Sequence, residues 1–204
     1  MEVLTMDKLP KEVRENRKPE YEIHPIILGR WSPRSMTGEE IADHELMPLF
    51  EAARWAPSSY NNQPWRFIYA RRNSKDWQKF FGLLTEGNQS WAKNAAVLVV
   101  LISAKNFEFN GKPSITHKFD AGSAWENLAI EGSLRGLVTH GMEGFDYEKA
   151  RSILEIPEGY DVECMIAIGK MGKKEALPRE MQQYEAPNTR KPLKEIIMEG
   201  KFRK

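Results

Sequence analysis

A run of polar side chains between two prolines is the part of this sequence best suited to ligand recognition. Residues 58–63, SSYNNQ, follow Pro57 and precede Pro64, and they supply serine hydroxyls and three side-chain amides. Each amide offers both donors and an acceptor, so the set matches the edge of a planar heteroaromatic ligand on which donors and acceptors alternate. Serine and asparagine are also the ordinary residues of turns and caps. The residue types alone therefore leave open both a ligand site and a simple turn.

A second candidate is a pair of arginines with a serine between them, in the segment GRWSPRSM at residues 29–36. Arg30, Ser32 and Arg34 alternate along an extended segment, so their side chains point to the same side. Guanidinium forks and a hydroxyl suit the multidentate, charge-assisted contacts that a phosphate group forms. Most arginines, however, are solvated surface residues. The residues by themselves support either interpretation.

The standard catalytic constellations do not occur in this sequence. It has no GxSxG nucleophile elbow, no Walker A motif and no Rossmann GxGxxG pattern. The four histidines lack a metal-ligand spacing such as HExxH, and we predict no metal site. His140, Glu143 and Asp146 could form a facial ligand set, but solvated residues near a helix start explain them more simply. The basic GxxG at residues 169–172 invites a KH-type interpretation, which the missing basic surface argues against.

Composition limits the classes of protein that this chain can represent. With 204 residues, 41% hydrophobic and 29% charged, we expect one globular domain with a sizeable core. The formal net charge of +1 gives no global attraction to nucleic acid or to an anionic membrane. Cys164 is the only cysteine, so no disulfide forms within the chain and a reducing compartment fits. The charged N-terminus and the lack of a long apolar run predict a soluble, cytoplasmic protein.

Helical and strand patterns surround the polar run. The sequence T37-x-x-E40 has the form of a capping box and predicts the start of a helix that ends before Pro57. Apolar residues at helical spacing, Leu46, Leu49, Phe50 and Ala53, form one face of that helix. Residues 65–69 then predict a strand. The polar run is therefore a turn-rich elbow between a helix and a strand.

The rest of the chain predicts further helices, two more strands and an exposed loop. The uniform apolar run at 95–103 predicts a buried central strand, and the 106–114 segment predicts either a substrate lid or a plain surface loop. The other expected elements are a helix at 76–84 broken at 86–88, a thin helix with small residues at 118–137, a short helix ending at 154, and a strand at 163–168.

Four segments in matching order resemble the FMN-dependent nitroreductase family. They are GRWSPRSM at 29–36, ARWAPSSYNNQPWRF at 53–67, MEGFD at 142–146 and NTRKPL at 188–193, which together frame nearly the whole chain. The small size suggests the flavin-reductase-like members. The resemblance implies an α+β nitroreductase-like fold, a central mixed or antiparallel sheet flanked by helices, in a homodimer with extended termini. Residues 1–22 would be an N-terminal arm, and residues 23–204 the FMN-binding domain with a C-terminal wrapping tail.

The resemblance also implies a set of cofactor-binding residues. Arg30, Ser32, Arg34 and Arg190 would hold the FMN phosphate, and Ser59, Asn61 and Gln63 would address the ribityl chain and the pyrimidine ring. A backbone amide of Glu143 or Gly144 would donate to flavin N5. Asn188 departs from a lysine found there in some members. The full implied set is Arg30, Trp31, Ser32, Arg34, Pro57, Ser58, Ser59, Asn61, Gln63, Met142, Glu143, Gly144 and Arg190.

The activity implied by the resemblance is ping-pong oxidoreduction. NAD(P)H would give hydride to the flavin and leave, and a nitroaromatic, a quinone or free flavin would then accept the electrons. No protein side chain is expected to be catalytic, because a flavin carries the hydride chemistry itself. Two alternatives remain: a related flavoenzyme of reductive dehalogenation or dehydrogenation, and a flavin-binding sensory or structural dimer with little turnover.

Overall fold

The computed structural model describes residues 5–203, and its contacts divide the chain into two compact units. The larger unit is Ser32–Glu185, and the smaller unit combines Met1–Trp31 with Ala186–Lys204. The α-helices are α1 Lys11–Asn16, α2 Pro25–Gly29, α3 Asp43–Arg54, α4 Trp77–Phe81, α5 Glu86–Ala92, α6 His117–Leu134, α7 Tyr147–Ile153 and α8 Arg179–Gln182. The strands are β1 Trp65–Arg71, β2 Val97–Ala104, β3 Leu137–Met142 and β4 Tyr160–Lys170. The fold is α+β, as predicted.

The four strands form one antiparallel sheet in the order β1-β2-β4-β3. β2 pairs with β1 along its full length and with β4 on its other side, where the register shifts between Leu101 and Ile102. Every residue of β2 is buried, because alternate side chains enter hydrophobic clusters on the two faces of the sheet. The prediction of a buried central strand is therefore confirmed.

Helices cover both faces of the sheet. α3 and α6 pack on one face, where Leu46, Leu49 and Leu128 share a cluster with Val97 and Val99. α4, α5 and α7 contribute to the cluster on the opposite face. The elbow at 58–63 connects α3, on the first face, to the edge strand β1. Its two ends are thus fixed by a buried helix and a hydrogen-bonded strand.

Gly132 allows α6 to lie close to β3, and we predict that Gly132→Ala destabilises the protein by about 1–3 kcal/mol, the usual cost of overpacking a core. A Cβ at this position would lie 2.7 Å from Thr139 Cγ2 and 3.5 Å from Leu49 Cδ2. Urea denaturation measures the change in the free energy of unfolding.

Gly122, on the same helix, provides the matched control. A Cβ there meets nothing within 4 Å. Gly122→Ala should therefore stabilise the protein by about 0.5–1 kcal/mol, because alanine loses less backbone freedom in a helix than glycine does. Equal effects of the two substitutions would contradict the packing explanation.

The predicted helix start at Thr37 is wrong. Thr37 donates its backbone N–H to the Lys170 carbonyl at 3.1 Å, and Gly38 follows with φ of +81°, outside helical backbone. α3 begins instead at Asp43, where the Glu45 carboxylate accepts from the Ala42 amide at 3.0 Å. The capping interaction is real, but it lies five positions later in the chain than the motif that predicted it.

Two other boundaries differ from the sequence prediction. Residues 86–88 do not break a helix: they open α5, whose first turn tolerates Gly87. The predicted helix to 137 ends at Leu134, since Gly136 adopts φ of +71°, and the chain continues as β3, a strand that the sequence did not indicate. His140, interpreted as lying near a helix start, is in this strand.

The smaller unit has a hydrophobic cluster of its own, formed by Leu9, Val13 and Leu28. Leu193 donates its backbone amide to the Glu20 carboxylate at 2.8 Å, so the two ends of the chain are hydrogen-bonded within this unit. Throughout residues 5–203, no helix is both long enough and apolar enough to cross a membrane.

Candidate functional site

The elbow is held by hydrogen bonds along its own length. Ser58 Oγ accepts from the Gln63 amide at 3.0 Å, and Gln63 Nε2 donates to the Asn61 carbonyl at 2.9 Å. The Ser59 amide donates to Oδ2 of Asp120, a buried residue of α6, at 3.1 Å. Ser58 therefore helps to build the turn, which agrees with the ordinary use of serine in turns and caps.

Three elbow residues have backbone in the left-handed region. The φ angles are 52° at Tyr60, 53° at Asn61 and 47° at Gln63. Asparagine adopts this conformation more readily than tyrosine or glutamine. Such residues cost about 1–3 kcal/mol each, and they persist where surrounding structure enforces them, often at ligand sites. The elbow therefore concentrates left-handed backbone in the way that ligand sites often do.

Asn61 and Asn62 have different environments. Asn62 Oδ1 accepts from the Glu108 amide at 3.0 Å, and its Nδ2 donates to the Asn106 carbonyl at 3.5 Å. The Asn61 side chain is exposed, and the described residues give its amide no hydrogen-bond partner. Asn62 therefore joins the elbow to the 106–114 loop, whereas Asn61 presents its amide outward.

The segment that carries Ser32 and Arg34 is held by its backbone. The buried Glu185 carboxylate accepts from the amides of Arg34, at 2.8 and 3.1 Å, and of Ser35, at 2.8 Å. His140 Nδ1 lies 2.9 Å from the Pro33 carbonyl, so its N–H donates there. The half-buried Arg34 side chain forms no ion pair within residues 5–203. Its guanidinium is therefore available to an anion.

The 142–144 segment offers backbone donors. The Gly144 carbonyl accepts from the Thr85 amide, from Thr85 Oγ1 and from Asn88 Nδ2, at 3.0, 3.0 and 2.9 Å. The amides of Glu143 and Gly144 have no acceptor in the described part of the chain. Met142 is buried in the core, so only its backbone can face a ligand. This segment can therefore donate to a ligand through its amides.

The smaller unit contains Arg30, Trp31 and Arg190. Arg30 and Trp31 are half-buried, whereas Arg190 is exposed. Arg190 Nη1 donates to Asn188 Oδ1 at 2.8 Å and to the Thr189 carbonyl at 3.0 Å. Asn188 thus orients Arg190.

A separate polar cluster lies at the start of α6. His117, Asp161 and Glu163 place potential ligand atoms within 4.8 Å of one another, and Ser103 Oγ bridges His117 Nδ1 and the Glu163 carboxylate. Lys118 donates to Asp161 at 2.9 Å, and this hydrogen bond lowers the pKa of Asp161 and raises the pKa of Lys118. A metal ion would compete with that ammonium, so we interpret the cluster as a structural network.

Cys164 lies beside this cluster on β4. Burial, with a smaller contribution from the Glu163 charge, raises the pKa of its thiol to about 12. The reactive thiolate is therefore scarce at neutral pH. Cys164 is suited to packing rather than to covalent chemistry.

The GxxG pattern at 169–172 is explained by packing. A Cβ at Gly172 would lie 2.9 Å from the Met36 carbonyl carbon and 3.0 Å from its amide nitrogen, and one at Gly169 would lie 2.7 Å from Met36 Sδ. These glycines let the end of β4 approach the 35–36 segment. The motif supports the arginine-bearing segment instead of binding nucleic acid.

Sequence reasoning missed two residues that hold this region, Glu185 and His140. The amides that Glu185 binds lie 150 and 151 positions away, and the carbonyl that His140 contacts lies 107 positions away. No local pattern could have indicated these contacts. Glu185 stood in a polar tail without a pattern, and His140 was considered only as a possible metal ligand, not as a partner of the Pro33 carbonyl.

Comparisons with known proteins identify one family. A model of the nitroreductase family matches residues 27–80 and 71–170. A solved structure described as an oxidoreductase containing FMN is 44% identical and has a TM-score of 0.88. The match covers 92% of this chain and 96% of that one. The solved structure of an FMN-dependent nitroreductase from Clostridium difficile is 25% identical and has a TM-score of 0.60. The match covers 71% of this chain and 84% of that one. An oxygen-insensitive NADPH nitroreductase from Helicobacter pylori is 38% identical over 69 residues, which are 34% of this chain and 32% of that protein.

Proposed function

Because the chain belongs to the nitroreductase family and shares the fold of its solved members, we propose that it binds FMN without covalent attachment and oxidises NAD(P)H. The observation that carries this proposal is the elbow, where strained backbone presents the Asn61 amide outward while its neighbours hold the turn. The 44% identical relative, an oxidoreductase containing FMN, supports the choice of cofactor.

The donors in both units fit the chemistry of FMN. In the larger unit, Asn61 and the amides of Glu143 and Gly144 would donate to the isoalloxazine, and Ser59 and Gln63 would face the ribityl side. Ser32 and Arg34 would contact the phosphate. In the smaller unit, Arg30 and Arg190 would also bind phosphate, because guanidinium forks match phosphate oxygens. A bound flavin supplies the hydride chemistry, so no side chain has to act as acid, base or nucleophile.

Flavin content tests the cofactor directly. We expect purified protein, or protein incubated with FMN, to show flavin absorbance, and denaturation to release unmodified FMN. The high thiol pKa of Cys164 is consistent with non-covalent binding. Protein that neither carries nor takes up FMN would remove the proposal.

We predict ping-pong steady-state kinetics with NAD(P)H and a quinone. One cleft would serve donor and acceptor in turn, so the double-reciprocal plots at several acceptor concentrations should be parallel. Intersecting lines would contradict the shared cleft. Flavin-loaded protein could also be tested with a quinone, a nitroaromatic and free flavin in turn. Negligible NAD(P)H oxidation with all three acceptors would favour a flavin-binding protein without turnover.

A homodimer is part of the proposal. Exposed apolar side chains surround the elbow and the 106–114 loop: Tyr60 is 81% exposed, Phe109 64%, Ile115 94% and Phe119 77%. Tyr60 lies 5.6 Å from Phe107 and 6.0 Å from Phe109 between ring centroids, so these three aromatic residues form a contiguous patch. Large contiguous apolar patches mark interaction surfaces. Sedimentation as a stable, flavin-loaded monomer at low micromolar concentration would contradict the dimer.

A further inference from the structure

Arg17 is a buried arginine in a segment with no assigned role. It follows α1, and its residue surface is 8% exposed. Fully buried arginines are rare unless their donors are satisfied, because desolvation of the charge is costly. Its hydrogen-bond partners therefore indicate what the residue does.

The Arg17 guanidinium connects two separate segments of the smaller unit. Its Nη1 donates to the carbonyls of Leu28 and Arg30, both at 2.6 Å. Its Nε donates to the Asn188 carbonyl at 3.1 Å, and Nη2 lies 3.4 Å from Asn188 Oδ1. Asn188 Oδ1 also accepts from Arg190 Nη1 at 2.8 Å. One side chain thus fixes the backbone at Arg30 and the residue that orients Arg190.

Arg17 lies near two other arginines, Arg30 and Arg190. Within residues 5–203, its hydrogen-bond acceptors are neutral oxygens of Leu28, Arg30 and Asn188. Burial lowers the pKa of its guanidinium, and the positive charges of Arg190 and Arg30 lower that pKa further. Arg17 is therefore close enough to Arg30 and Arg190 for their charges to repel its own. A ligand group that carries two negative charges would relieve that repulsion.

We propose that Arg17 is a positioning residue for a phosphate monoester, which it serves by fixing Arg30 and Arg190 rather than by contacting the ligand. This inference rests on the proposed binding of FMN, whose terminal phosphate is the group concerned. Two flexible arginines on unconnected segments would lose side-chain and backbone freedom on binding a phosphate. The hydrogen bonds of Arg17 hold the backbone at Arg30 and Asn188 before a ligand binds, so less backbone freedom is lost on binding.

The test compares flavin with and without its phosphate. Full-length protein freed of flavin is titrated with FMN and with riboflavin, for wild type, Arg17→Met and Arg17→Lys. We expect Arg17→Met to weaken FMN binding by about tenfold or more and riboflavin binding by less than about twofold, because only FMN carries the charged group. Arg17→Lys keeps the charge but cannot reach both segments, so its FMN affinity should lie between those of wild type and Arg17→Met.

Arg14→Met, a change within α1 three positions before Arg17, is the matched control. Arg14 is exposed, and its Nε donates to the Leu9 carbonyl at 3.1 Å, but within residues 5–203 its side chain forms no hydrogen bond with the segments of Arg30 or Asn188. This variant should leave both affinities unchanged. Equal losses of FMN and riboflavin in the Arg17 variants, including complete loss through misfolding, would overturn the positioning role. Failure of the wild-type protein to bind FMN would instead remove the proposed function.

Discussion

Arg190→Ala will weaken FMN binding by about 1.5–3 kcal/mol, or roughly 10- to 150-fold, if Arg190 forms a charge-assisted contact with the phosphate. Arg190 is exposed, and its two hydrogen bonds within residues 5–203 both use Nη1, which leaves its other donors for a ligand. Equilibrium titration of flavin-free protein with FMN, followed by fluorescence, measures the loss.

Arg179→Ala is the matched control for this charge change. Arg179 is an exposed residue at the start of α8, and none of the proposed FMN contacts involves it. Its replacement should alter FMN affinity by less than about 0.5 kcal/mol, as for other surface substitutions. Equal FMN affinities of the two variants would show that Arg190 is only a solvated surface residue.

Asn61→Gly will weaken FMN binding by about 1–3 kcal/mol without reducing the stability of the folded protein. The loss follows from an unpaired polar atom on the ligand once the Asn61 amide is gone. Glycine is preferred to alanine as the replacement, because Asn61 has φ of 53° and alanine would add backbone strain there. Titration with FMN and urea denaturation, run in parallel, separate binding from folding.

The same substitution should change the reduction potential of the bound flavin. A hydrogen bond near N1, O2 or N3 favours the negative charge that develops on reduction, so its removal should lower the midpoint potential. Asn62→Ala should leave both FMN affinity and potential unchanged, while destabilising the protein by about 1 kcal/mol through its lost contacts with Asn106 and Glu108. Similar effects on FMN at both positions would return the elbow to a turn-building role.

Elements with a strong local pattern were predictable from the sequence. The central strand β2 is uniformly apolar because both of its faces are buried, and that property is visible in the residues themselves. The elbow was visible for a similar reason, since two prolines and a run of amides mark a turn. β3 was not: its six residues LVTHGM include a histidine and a glycine, and only pairing with β4 makes them a strand.

The site was predictable in part. The amides and arginines that could face a ligand are conspicuous in the sequence, but the residues that hold them are not. Glu185 and His140 act on backbone atoms more than 100 positions away, and Arg17 lies in a polar N-terminal segment for which no chemical role was predicted. The false capping box at Thr37 shows the opposite error, since a valid local motif lost to a hydrogen bond with the end of β4.

The smaller unit joins the two ends of the chain, and this has a consequence for biosynthesis. Arg17 and Asn188 are 171 positions apart. At about 5–20 residues per second, translation of that interval takes roughly 9–34 s. The Arg17–Asn188 contacts cannot form before Asn188 has been synthesised, 18 positions after Lys170, the last residue of β4. If Arg17 positions phosphate-binding arginines as proposed, a nascent chain would acquire that arrangement only after all four strands have been synthesised.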